Sequence, residues 1–156
     1  MRDVFNKPIL SRRSALCLGA GAALVAVTPL RGLADEPEMQ AAIKDVFGDR
    51  LIEDGKVTLR LPPISENGYS VPLTVAVDSP MTGADHVNQI VIFSPRNPLP
   101  NIARFKLSAQ SGKAEIATRV RLSGTQALTA IAETNDGRLW RGSAETVVTL
   151  AACVIL

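Results

Sequence analysis

Residues 57–77 read "VTLRLPPISENGYSVPLTVAV". Val57, Leu59 and Leu61 alternate with polar residues, and after a break Val71, Leu73, Val75 and Val77 recur at the same spacing of two. A period of two sends the apolar side chains to one face of a strand, where a helix would need a period of 3.6. Between the runs, "SENG" (65–68) supplies a turn, with Asn67-Gly68 at its tip, so Glu66 reads as a loop residue before the next strand.

The same texture continues outward. "HVNQIVIFSP" (86–95), "NIARFKLS" (101–108), "KAEIATRVRLS" (113–123), "TQALTAIAET" (125–134) and "ETVVTLAACVIL" (145–156) follow at short intervals. Turn signals separate them: "DSPMTGAD", "SPRNPLPN", "AQSGK", "SGT" and "NDGR". Asn135-Asp136-Gly137 suits a hairpin. Some seven short strands predict an all-β fold, an immunoglobulin-like antiparallel β-sandwich over 56–150, with a closed barrel as the alternative. Before it, Met39, Ile43, Val46 and Phe47 fall at helical spacing, which predicts one short N-terminal helix within 35–55, ending at or a little before Gly55. No internal repeat and no low-complexity tract interrupts this order.

The front of the chain differs. Arg12 and Arg13 stand directly before an apolar, small-residue run from Ala15 to Thr28, and Gly32-Leu33-Ala34 offers a cleavage site. The run is short for a membrane span, so residues 1–34 read as a signal peptide. Ser11-Arg12-Arg13-Ser14-Ala15-Leu16 resembles the twin-arginine motif, which exports folded proteins, here to the periplasm. An ordinary signal that happens to hold two arginines is the alternative.

Five of the 17 Lys and Arg residues, and one of the 15 Asp and Glu, fall within 1–34, so the remainder carries a net charge of −2. That remainder has no basic stripe for nucleic acid or a membrane surface. Enzyme signatures are missing: no phosphate-binding loop, no nucleophile elbow, no metal-ligand spacing and no cofactor motif. The single histidine, His86, reads as a surface or capping residue. Arg119 and Arg121 are two apart, so on a strand they share a face. They can hold an anion or a partner's acidic patch, or simply form a solvated face. The proline-rich stretch with Arg96 and Arg104 either stiffens a contact loop or blocks a sheet edge.

One cysteine, Cys153, remains after residue 34, and it cannot make a disulfide within its own chain. Cys153-Val154-Ile155-Leu156 fits a prenylation box, but an export signal keeps the protein away from the cytosolic prenyl transferases. Two readings stay open. Cys is among the most buried residue types, and "VVTLAACVIL" (147–156) can be a buried strand to its last residue. Alternatively Cys153 is a reactive sulfur on a tail, 151–156, of about 20 Å at full extension.

Three stretches carry a resemblance: "RLPPISENGYSVPLTVAVDSPMTGADHVNQIVIFSPRNPLPNIARFKLS" (60–108), "EIATRVRLSGTQALTAIAETNDG" (115–137), and a cysteine close behind "VVTL" (147–150). In this order they resemble SoxY, the family of sulfur-carrier subunits of the periplasmic thiosulfate-oxidising system. The resemblance implies an immunoglobulin-like sandwich preceded by a helix, and a heterodimer with a second sandwich subunit, SoxZ. It also implies sulfur attached to Cys153 by SoxAX, hydrolysis of the adduct by SoxB and oxidation of the residual sulfur by SoxCD. The carrier itself catalyses nothing. The family's arm reads Gly-Gly-Cys-Gly-Gly. Here Ala151, Ala152, Val154, Ile155 and Leu156 surround the cysteine, so Cys153 matches by position and the glycines do not. The expected function is therefore a sulfur carrier for a reduced sulfur compound, with two alternatives. One is a divergent binding or assembly module whose tail docks. The other is an enzyme using Cys153 with His86 as base.

Overall fold

The computed structural model describes residues 37–152; Arg12, Arg13, Cys153 and Val154 lie outside them. Within them one helix, α1 (Pro37–Phe47), precedes nine strands. The smaller sheet has the order β2 (Val57–Arg60), β4 (Val71–Val77), β7 (Glu115–Val120), all antiparallel. The larger runs β1 (Ile52–Asp54), β9 (Leu139–Leu150), β8 (Gln126–Thr134), β5 (Val87–Phe93), β6 (Asn101–Lys106), and β3 (Ile64–Asn67) also lies along β9. The two sheets face each other across an apolar core, as the alternation in 57–77 requires.

Val71, Leu73, Val75 and Val77 of β4 point into that core, where they meet Ile90 and Ile92 of β5 and Leu128, Ala130 and Ala132 of β8. Strands β5 and β8 are buried on both faces, because α1 covers the outside of the larger sheet. Met39, Ile43 and Phe47 of the helix pack on Val91, Phe93, Ile131 and Leu139. The Phe47 and Phe93 rings meet edge to face at 6.4 Å, a favoured aromatic geometry. The structure is thus a sandwich with a third, helical layer on one face.

Two expectations change. The helix ends at Phe47, well short of Gly55. Gly48 takes φ +69° and donates its N–H to the Lys44 carbonyl at 2.7 Å, a left-handed helix stop that glycine adopts without penalty. Beyond it Ile52–Asp54 form β1, parallel to β9, with Arg141 Nε 2.8 Å from Asp54 and Arg138 Nη2 3.0 Å from Glu53. The Arg141 bond and charge hold the Asp54 carboxyl below its ordinary range. Likewise "SENG" is not only a turn. Its first three residues belong to β3, which pairs in parallel with β9: Ile64 with Val147, Ser65 with Val148, Asn67 with Leu150. The chain bends only after Asn67, whose side-chain oxygen accepts the Tyr69 N–H at 3.2 Å. β1 and β3 together cover the outer edge of β9, which would otherwise lie open to pairing. The "NDGR" hairpin forms as expected, and β9 starts directly behind it at Leu139.

Phe47→Ala removes the ring that fixes the helix to the sheet. It is expected to lower stability by about 3–5 kcal/mol, the usual range for a buried Phe truncation, read as a reduced urea midpoint. A loss below about 1 kcal/mol would mean that the helical layer is not part of the cooperative unit.

Candidate functional site

The ladder of β9 does not stop where the strand does. Gly68 N–H donates to the Leu150 carbonyl at 2.7 Å, and the Gly68 carbonyl accepts the Leu122 N–H at 2.9 Å. The Ala152 N–H then donates to the Leu122 carbonyl at 3.0 Å. Gly68 is therefore a bridge between the sheets at this end of the sandwich, and the tail crosses it from the β3 side toward the end of β7. A side chain at Gly68 has no room: a Cβ there would stand 2.1 Å from the Leu122 oxygen and 3.1 Å from the Ala152 nitrogen. Ala151 and Ala152 are half-buried. The last described amide is pinned to the fold one residue before Cys153, which leaves four residues, Cys153 to Leu156, beyond it. These span about 13–14 Å when extended.

The neighbouring wall is built by Asn97, a buried polar residue in the proline-rich segment. Its Nδ2 donates to the Arg121 carbonyl at 2.8 Å, and its Oδ1 accepts the Ser123 N–H at 3.0 Å. Gln126 Nε2 reaches the same oxygen at 3.3 Å, and Ser94 Oγ donates to Gln126 Oε1 at 2.6 Å. Arg96 adds a bond from Nη1 to the Thr125 carbonyl at 2.9 Å. The segment 94–100 is thereby locked onto the β7–β8 connection. Between it and β7 lies an open groove of about 560 Å³, lined by Pro98, Leu99, Ile102, Arg119 and Arg121 among others. Arg119 and Arg121 are both exposed on this groove, and Arg119 Nε also donates to Ser70 Oγ at 2.7 Å. The proline-rich stretch and the arginine pair, separate in sequence, form the two walls of one feature.

His86 lies at the other end of the molecule. Its Nδ1 is 3.0 Å from the Thr82 carbonyl, and its backbone N–H donates to Asn135 Oδ1 in the β8–β9 hairpin. The twelve residues of β9, roughly 40 Å of strand, separate that hairpin from the base of the tail. His86 is thus far from the base of the tail. Among the described residues no three His, Cys, Asp or Glu side chains are grouped to hold a metal.

Comparison with known proteins bears on this geometry. The family model for sulfur oxidation protein SoxY matches residues 43–153, ending on the cysteine itself. The solved sulfur carrier protein SoxY from Chlorobium limicola f. thiosulfatophilum is 32% identical, with a TM-score of 0.61 over 72% of this chain and 97% of that one. The chain belongs to the SoxY family. Superoxide reductase (neelaredoxin) from Ignicoccus hospitalis is 19% identical, with a TM-score of 0.53 over 60% of this chain and 80% of that chain. A putative superoxide reductase from Thermotoga maritima is 21% identical, with a TM-score of 0.52 over 63% and 92%. At such identities these two show the shared sandwich alone. No curated protein sequence matches the chain.

The base of the tail is what sequence reading missed. Gly68, Leu122 and Asn97 carried no signal as site residues. Asn67-Gly68 announced a turn, but not that the glycine would lie under the tail.

Gly68→Ala is expected to push the Leu122 carbonyl away and break the Ala152 bond. Hydrogen exchange at the Ala152 amide should accelerate roughly 10- to 100-fold, as for a lost local hydrogen bond. Unchanged exchange would mean that this bond does not hold the tail.

Proposed function

We propose that this chain is a periplasmic sulfur carrier that holds thiosulfate-derived sulfur on Cys153 and presents it to partner enzymes. The observation that carries the reading is the family match ending on Cys153, one residue beyond an amide tied to the fold. A short tail on a fixed base is suited to presenting one covalently held group to several active sites.

The chemistry follows from the thiol. The Cys153 thiol and thiosulfate join through a new S–S bond, releasing one proton and two electrons, which a SoxAX-like haem enzyme pair takes up. Water then cleaves the S–S bond to the sulfonate on a SoxB-like enzyme, releasing sulfate and leaving a persulfide on Cys153. A SoxCD-like enzyme oxidises that remaining sulfur. The carrier supplies position and a nucleophile, and it is not itself a catalyst. No cofactor enters its own role.

A SoxZ-like sandwich subunit is the proposed permanent partner. Ile64 and Val147, neighbours in register on the outer face, are 66% and 44% exposed, with Tyr69 and Leu150 exposed nearby. Such a strip favours a protein partner. Arg119 and Arg121 are a second contact surface, for an anion or an acidic patch. The twin arginines Arg12 and Arg13 would export the folded pair.

Intact mass decides the reading. The mature protein with its partner subunit, exposed to thiosulfate and the oxidising enzymes, should gain a reducible sulfur adduct that Cys153→Ser lacks. An unmodified thiol, with the same enzymes loading a glycine-armed carrier, would sink the carrier and favour a divergent binding module.

A further inference from the structure

We infer that the free outer edge of β7 is a docking edge: an extended segment of another protein, alternating acidic with apolar residues, adds to it as a further strand of the smaller sheet. The inference rests on the reading of Arg119 and Arg121 as a contact surface for an acidic patch, and it needs no sulfur on Cys153.

The sandwich is closed on one side and open on the other. On the closed side a Cβ at Gly142 would stand 2.1 Å from the Val57 oxygen, so β2 lies directly against β9. On the open side β6 ends the larger sheet and β7 the smaller, and neither pairs with a further described strand. The groove of about 560 Å³ lies between these two edges, with Asn101, Ile102 and Ala103 on one wall and Thr118, Arg119 and Val120 on the other.

A proline fixes which backbone groups of β7 are free. Pro72 pairs with Arg119 but has no N–H, so this pair cannot exchange ladder bonds. The bonded pairs are therefore Val71 with Val120, Leu73 with Thr118 and Val75 with Ile116. The Val77 N–H donates to the Ala114 carbonyl at 2.8 Å, which continues the same alternation. The N–H and C=O groups of Ala117 and Arg119 consequently point away from β4, and no described residue hydrogen-bonds them. Unpaired edge groups of this kind are a template for another strand.

The side chains specify that strand. Ile116 and Val120 face the core, while Glu115, Ala117, Arg119 and Arg121 are exposed on the other face. A strand added beside β7 would alternate likewise. Its inward side chains would fall in the groove beside Ile102, Ala103 and Leu99, the last of which is 76% exposed. Its outward ones would stand beside Arg119 and Arg121, where carboxylates are favoured and cations repelled. Charges on an edge strand ordinarily deter pairing, and here they select an acidic partner. The chain runs from β7 directly to Leu122, whose carbonyl accepts the Ala152 N–H, so the added strand would lie beside the base of the tail.

The test is amide hydrogen exchange of the mature protein at low salt, alone, with a short peptide of alternating valine and glutamate, and with its valine–lysine counterpart. The glutamate peptide should slow exchange at the Ala117 and Arg119 amides about tenfold or more. It should leave Thr118, already in the ladder, unchanged, and the lysine peptide should slow neither edge amide. Ala117→Pro removes an N–H that bonds nothing within the fold, so it should abolish the effect at Arg119 while the urea midpoint holds. Arg119→Glu with Arg121→Glu should switch the preference to the lysine peptide, and this variant carries the test if the proline variant does not fold. No slowing by the glutamate peptide would overturn the docking edge. Equal slowing by both peptides rules out the acidic partner, and undiminished binding by a folded Ala117→Pro rules out strand addition. Slowing that grows with protein concentration and needs no peptide assigns the edge to a second copy instead. None of these measurements involves Cys153, so a thiol that never loads refutes the carrier alone, and unprotected edge amides refute the docking edge alone.

Discussion

The arrangement at the tail depends on one close approach of backbone to backbone. Gly68 has no side chain, so the Leu122 carbonyl can lie where a Cβ would stand, and Ala152 can reach that same carbonyl. From this contact follow the closure of the two sheets at one end, the fixed base of the tail and the direction in which the tail leaves. A longer residue at 68 would separate β3 from β7 and release all three together. The approach is possible because both sides bring backbone groups that need partners, and each satisfies the other.

β9 transmits that contact through the fold. It pairs with β8 along one edge and is covered on the other by β1 and then β3. Its first residue, Leu139, lies under the helix, while Val148 near its end lies in the core between the sheets. One strand thus connects the helical layer, both short edge strands and the tail. The base of the tail is the continuation of the sandwich's longest strand.

The alternation in β2 and β4 was legible because burial of one face leaves a two-residue period, and the turn residues between strands were equally plain. What stayed illegible had physical reasons. Leu51 and Ile52 prolong an apolar rhythm past Gly48, so the helix looked longer than its glycine stop allows. β1 and β3 are three and four residues long and take their register from β9, far away in sequence. No period can develop in so short a run. Arg119 and Arg121 were visible as a pair sharing a face. The wall opposite them was not, because it depends on Asn97 reaching across 24 residues of sequence to the Arg121 carbonyl.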